Sequence, residues 1–232
     1  MFREGGVAKT EERVILHCDL NNFFASVSLL FNPTLRSVPV AVCGDKEQRH
    51  GIVLAKNEAA KRCGVKTAEA IFEAKAKCPE LVILPPMMDK YKEYSEKAHR
   101  IYEEYTDMIE PFGIDECWLD VTGSRLLFGS GEEIADKIRR EIKQKLGITV
   151  SVGVSFNKVF AKLGSDMKKP DAVTVISRTS FREKIWGLPL SDMIGAGRAT
   201  TAKLREYGVI TLGQLAQSNP DWILKLLGKN GY

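Results

Sequence analysis

Three carboxylates in this sequence stand where carboxylates are costly. Asp19 follows the apolar run Val14-Ile15-Leu16-His17-Cys18, and Asp115-Glu116 lies between Ile114 and Cys117-Trp118-Leu119. An acid among apolar neighbours is destabilising unless water or a cation compensates it. One reading is that all three are ordinary exposed loop acids, the commoner fate of Asp and Glu. The other is that they converge on a pair of Mg2+ ions, since magnesium takes hard oxygen ligands and keeps positions open for water and phosphate. Two such ions about 3.5–4 Å apart can hold the attacking and leaving oxygens of an in-line phosphoryl transfer. The sequence offers no Ser-His or Cys-His arrangement for a protein nucleophile. Its five cysteines, Cys18, Cys43, Cys63, Cys78 and Cys117, are odd in number and widely spaced, with no CxxC pair or neighbouring His cluster. That pattern argues against a disulfide framework or a zinc site and for a cytoplasmic chain.

Convergence of these acids requires a fold that brings distant segments together. Apolar runs predict strands at 14–18, 108–112, 117–121 and 149–154, and helical periodicity predicts helices at 89–106 and 131–146. With 21–88 set aside, the order is β-α-β-β-α-β, the ferredoxin-like split βαβ sandwich of an α+β fold. In that topology the first strand lies between the third and fourth and runs antiparallel to the third. The end of strand 14–18 then meets the start of strand 117–121, which puts Asp19 beside Asp115-Glu116. Within 21–88, Asn21 or Asn22 can cap a helix through about Phe31. Strands at 39–43, 51–54 and 81–84 and helices at 57–62 and 68–77 follow. After a strand at 173–176 the chain turns helical, around 181–186, 200–207, 212–217 and 222–227.

The length of 232 residues suits one large or two ordinary domains. With 44% apolar and 28% charged residues, the composition excludes disorder as an overall reading. No stretch approaches the roughly 20 apolar residues of a membrane span. Residues 1–136 carry 17 Lys+Arg against 23 Asp+Glu, and residues 137–232 carry 17 against 7. A net −6 front and a net +10 rear thus underlie the overall +4. A basic rear is either a solvated surface or one that meets a polyanion.

Three ordered segments carry a resemblance. His17–Val27, Gly113–Asp120 and Ser151–Pro170 resemble the catalytic motifs of Y-family DNA polymerases, closest to the bacterial DNA polymerase IV branch. The resemblance covers nearly the whole chain. It implies a palm (1–20 and 89–175), inserted fingers (21–88) and a small helix-hairpin-helix thumb (176–232), without the family's C-terminal little-finger domain. It implies metal ligands Asp19, Asp115 and Glu116, with the carbonyl of Leu20, for two Mg2+ ions. Phe24 occupies the steric-gate position beneath the incoming sugar, with Phe23 packing beside it. Lys169 matches the lysine that contacts the triphosphate, and Lys61 falls where relatives often carry Arg for the same purpose. Glu58 stands where relatives often have Tyr, Ala55 where some have Thr, and Ser28 where a Glu is common. Gly195, Gly197 and Arg198 resemble a helix-hairpin-helix turn that grips the DNA backbone.

The function implied is template-directed DNA synthesis of the translesion type, extending a primer 3′ end in DNA damage tolerance and repair. The partners implied are primer-template DNA and deoxynucleoside triphosphates, with a sliding clamp for a longer form only, no membrane, and a monomeric chain. Two alternatives are a nucleotidyl cyclase and a polymerase-derived, non-catalytic DNA-binding protein. The first leaves Phe24, the glycine turn and the basic rear unexplained. The second conflicts with the presence of all three acids.

Overall fold

A computed structural model of the protein describes residues 12–44 and 51–229. The outermost residues of the expected palm and thumb, and 45–50 of the expected fingers, lie outside the described residues. The strands are β1 (Ile15–Leu20), β2 (Val40–Cys43), β3 (Val53–Lys56), β4 (Val82–Leu84), β5 (Ile109–Pro111), β6 (Glu116–Asp120), β7 (Val150–Ser155) and β8 (Val173–Ile176). They form a five-stranded sheet ordered β5-β6-β1-β7-β8 and a three-stranded sheet ordered β3-β2-β4. β1 runs antiparallel to both β6 and β7, so the expected βαββαβ order is present, with β8 added parallel to β7 at the edge.

β1 is buried along its whole length because helices cover both faces of the sheet. Side chains alternate along a strand. Leu16, Cys18 and Leu20 enter the larger core with Cys117 and Leu119 of β6 and the helices Met88–Glu103 and Gly131–Glu141. Ile15, His17 and Asp19 take the other face, where Ile15 packs with Trp118 and Ala161. That face lies under the helix Lys158–Met167, which comes very close: a Cβ on Gly153 of β7 would meet the Ala161 carbonyl oxygen at 1.8 Å. Only glycine permits this approach. The helix Gly131–Glu141 starts with a capping box, Glu133 N–H to Ser130 Oγ at 3.3 Å and Ser130 N–H to Glu133 Oε2 at 2.7 Å.

The three-stranded unit has a core of its own, built from residues such as Ala41, Val53, Ala60, Ile71 and Leu81. Asn57 caps the helix Glu58–Arg62 by accepting from Ala60 N–H at 2.9 Å. The C-terminal helices Phe181–Ile185, Arg198–Glu206, Leu212–Gln217 and Pro220–Leu227 enclose a third cluster that includes Leu190, Leu204 and Ile223 and reaches Leu163 of the helix Lys158–Met167. Among the described residues no helix is long and apolar enough to cross a membrane.

Two local expectations are corrected. Asp19 does not follow β1 but lies within it, because the ladder continues through Asp19↔Glu116 and Asp19↔Ser151. Asn22 precedes the helix Phe23–Phe31 but does not cap it. Its backbone is left-handed (φ 49°), and its side-chain amide donates instead to Glu58 Oε1 at 2.9 Å. The cysteine spacing concealed a meeting. Cys63 and Cys78 end the two helices of the three-stranded unit, and their sulfurs lie with a Glu80 carboxylate oxygen within 4.8 Å of one another. Cys18 and Cys117 face each other across β1 and β6 as buried core residues.

Candidate active site

The register of β1 and β6 brings the acids together. Asp19 pairs with Glu116, and Leu20 N–H donates to the Asp115 carbonyl at 3.0 Å, tying the turn before β6 to the end of β1. Asp19, Leu20, Asp115 and Glu116 line one cavity of about 290 Å³. Phe23, Phe24, Ala55, Lys56 and Lys169 line it too.

Alternation also explains the charges around the acids. Asp19, His17 and Glu116 share the face covered by the helix Lys158–Met167, and that helix and its continuation supply the cations. Lys162 Nζ stands 2.5 Å from Glu116 Oε2, and His17 Nε2 lies 3.2 Å from the same oxygen. The other ring nitrogen of His17 meets Ser165 Oγ at 2.8 Å. Lys169 Nζ bridges Asp19 Oδ2 at 2.6 Å and Asp166 Oδ1 at 2.8 Å.

The three carboxyls differ accordingly. Burial works to raise Glu116, but His17 and Lys162 outweigh it and hold the group down at about 2. Burial raises Asp19, and Lys169 only partly offsets this. Asp115 is pushed up to about 6, by burial first and then by the charges of Asp19 and Glu116. Among the described residues it forms no ion pair. A group of carboxyls in which burial and mutual repulsion raise Asp19 and Asp115 is one that a multivalent cation would satisfy.

The impB/mucB/samB family model matches residues 18–166, a span that contains all three acids. The chain belongs to that family. It is 59% identical over 221 residues to a DNA polymerase IV of Acetivibrio thermocellus, covering 95% of this chain and 55% of the relative. It is 40% identical over 225 residues to DNA polymerase IV 1 of Bacillus subtilis, covering 95% and 53%. The chain thus spans about half the length of these relatives. Among solved structures, DinB from Sulfolobus solfataricus superposes with a TM-score of 0.84 at 31% identity, covering 93% of this chain and 63% of that one. An insertion ternary complex of Dbh DNA polymerase gives 0.85 at 30% identity, covering 94% and 68%. The Y-family resemblance and the α+β fold read from the sequence are borne out.

The other residues singled out by the family motifs fall in four locations. Phe23 is buried in the core, whereas Phe24 is half-buried in the cavity and stacks on Tyr91 at 4.2 Å with the rings 7° apart. Tyr91 is fixed in turn by a 2.7 Å hydrogen bond between its hydroxyl and buried Ser28, which gives Ser28 a packing role. Lys61 is not among the residues that line the cavity. It is exposed and stands 3.8 Å from Glu58, whose carboxylate is bound to Asn22. Gly195, Gly197 and Arg198 lie apart, in the C-terminal helical unit. Gly195 makes the turn with φ +86°, and Gly197 precedes the helix Arg198–Glu206 with open space around it.

Sequence reasoning missed four contributors. Lys162 and His17 were readable from spacing, since Lys162, Ser165 and Asp166 fall three or four residues apart on one helix face and His17 alternates with Asp19 on a strand. Asn21 was read only as a cap. It is buried, and its side-chain oxygen accepts Asp171 N–H at 2.8 Å, joining the end of β1 to the segment that carries Lys169. Lys56 was missed because the expected strand stopped at 54, whereas β3 runs through Lys56.

Proposed function

We propose that this chain is the catalytic core of a template-directed DNA polymerase of the translesion type, adding deoxynucleotides to a primer 3′ end. The observation that carries this reading is the convergence of Asp19, Asp115 and Glu116 in one cavity with Phe24 and Lys169. The donor set is made of hard oxygens and suits Mg2+. In this reading Asp19, Asp115, Glu116 and the Leu20 carbonyl hold two Mg2+ ions. When bound, such ions lower the pKa of the primer hydroxyl and neutralise the charge on the leaving pyrophosphate. The chain's own residues do the rest. Phe24, held flat against Tyr91, forms the floor under the sugar and excludes a 2′-hydroxyl. Lys169 exchanges its carboxylate partners for the triphosphate.

The described residues of 1–20 and 89–175 make the palm, those of 21–88 the fingers and those of 176–232 the thumb. Gly195, Gly197 and Arg198 direct backbone N–H groups and a guanidinium at the phosphates of primer-template DNA. The chain acts as a cytoplasmic monomer. Primer extension tests the reading: with labelled primer-template, deoxynucleoside triphosphates and Mg2+, the primer lengthens, and chelating the metal stops it. DNA binding with no extension would favour a non-catalytic binding protein.

A further inference from the structure

Two units of the fold each give the acid cavity a lysine, and the two lysines are in different states. Lys169, after the helix Lys158–Met167, already bridges Asp19 and Asp166. Lys56, at the end of β3, has a neutral partner: its amine donates to Thr67 Oγ1 at 3.0 Å. Among the described residues no carboxylate forms an ion pair with Lys56, although Lys61, Lys162 and Lys169 each have one nearby. Lys56 is half-buried, and burial first and the charge of Lys61 second lower its affinity for its proton. An ammonium has three donors, so Lys56 holds spare donors and a charge with no ion-pair partner among the described residues, at the wall of a cavity that also holds Asp19, Asp115, Glu116 and Lys169. That is a costly arrangement in isolation and a favourable one for a polyanion.

We propose that Lys56 is a nucleotide-binding residue, whose ammonium takes the triphosphate of the incoming deoxynucleotide from the side of the three-stranded unit, while Lys61 does not. The inference rests on the polymerase reading for the identity of the polyanion. Among the described residues, Lys56 is the only cation of that unit that lines the cavity. Ala55, in the cavity, has no polar side chain, Glu58 is an acid turned to Asn22, and Lys61 lies outside the cavity lining beside Glu58. Thr67 is a positioning residue, holding the ammonium over the cavity through its hydroxyl.

The test is equilibrium binding of dATP with Mg2+ to the full chain, by competition against a fluorescent dATP analogue, with dAMP as control. Lys56→Ala is expected to weaken dATP binding about tenfold, the effect of one charge-assisted hydrogen bond, with little change for dAMP. Lys56→Arg is expected to retain most of the affinity, and Lys61→Ala to stay within about twofold. In primer extension Lys56→Ala and, more weakly, Thr67→Val raise the nucleotide KM and leave kcat nearly unchanged. The proposal is overturned if Lys56→Ala binds dATP like the wild type, if Lys61→Ala is the more damaging change, or if the wild-type chain binds no dATP. Its failure is separable from that of the polymerase reading. Extension that persists with unchanged dATP affinity in Lys56→Ala removes only Lys56. Lys56-dependent dATP binding without extension removes only the polymerase.

Discussion

The end of the five-stranded sheet and the edge of the three-stranded sheet form two walls of one cavity, and they are built differently. On the first wall strand register fixes Asp19 and Glu116, and a cation answers each. Asp19 faces Glu116 across the ladder and takes Lys169, while Glu116 takes Lys162. On the second wall Lys56 ends the edge strand β3 and is held by one hydroxyl. The backbone follows the same division. A Cβ at Gly153 would strike the backbone of a covering helix, whereas one at Gly64 in the three-stranded unit would meet nothing within 4 Å. The difference is one of packing: the sheet that carries the acids is tightly covered by a helix at Gly153, whereas Gly64 in the other unit stands in open space.

Substitutions at these two glycines should separate the walls most sharply. Gly153→Ala forces the helix Lys158–Met167 off the sheet and should cost at least about 3 kcal/mol, lowering the melting temperature by roughly 6–12 °C. Because that helix carries Lys162 and leads to Lys169, the variant should also lose nucleotide binding. Gly64→Ala meets only the backbone cost of its φ of +83°, about 1 kcal/mol, and should lower the melting temperature by roughly 2–4 °C. Scanning calorimetry on both variants would break the comparison if the two losses were equal.

A smaller effect probes how the first wall holds Lys169. Burial acts to raise the Asp171 carboxyl, but Lys143 and Arg139 outweigh it and keep the group below the ordinary carboxylate value. Their nitrogens lie 2.6 and 2.8 Å from its oxygens. A depressed carboxyl contributes stability that is complete above its unfolded value, near 4, and is lost as pH falls through its lower folded value. The wild type should therefore lose up to about 1 kcal/mol on acidification that Asp171→Asn does not lose. Denaturant unfolding at about pH 7 and about pH 3 compares the two, and equal losses would remove the charge pairing from the account.

Much of the first wall was legible in the sequence, because strand order alone dictates that residues at the ends of strands one and three meet. What sequence reasoning could not supply was the continuation of pairing through Asp19, since an acid in a strand reads as its end. Asn22 was misread for a similar reason. Asn favours caps, but it also tolerates the left-handed backbone that frees its amide for Glu58. The second wall was hardly legible. Lys56 follows a run too short to show where β3 stops, and its partner Thr67 lies in a loop. The meeting of Cys63 with Cys78 depends on where two short helices end, which no spacing rule reveals.

The central claim is that Asp115, with Asp19 and Glu116, forms the reacting centre. It is tested most directly by single-turnover primer extension with Mg2+, comparing the wild type with Asp115→Asn at equal occupancy on primer-template DNA. The account predicts normal DNA binding and a loss of roughly a hundredfold or more in the rate of nucleotide addition. A rate that survives the substitution within a few fold would contradict it.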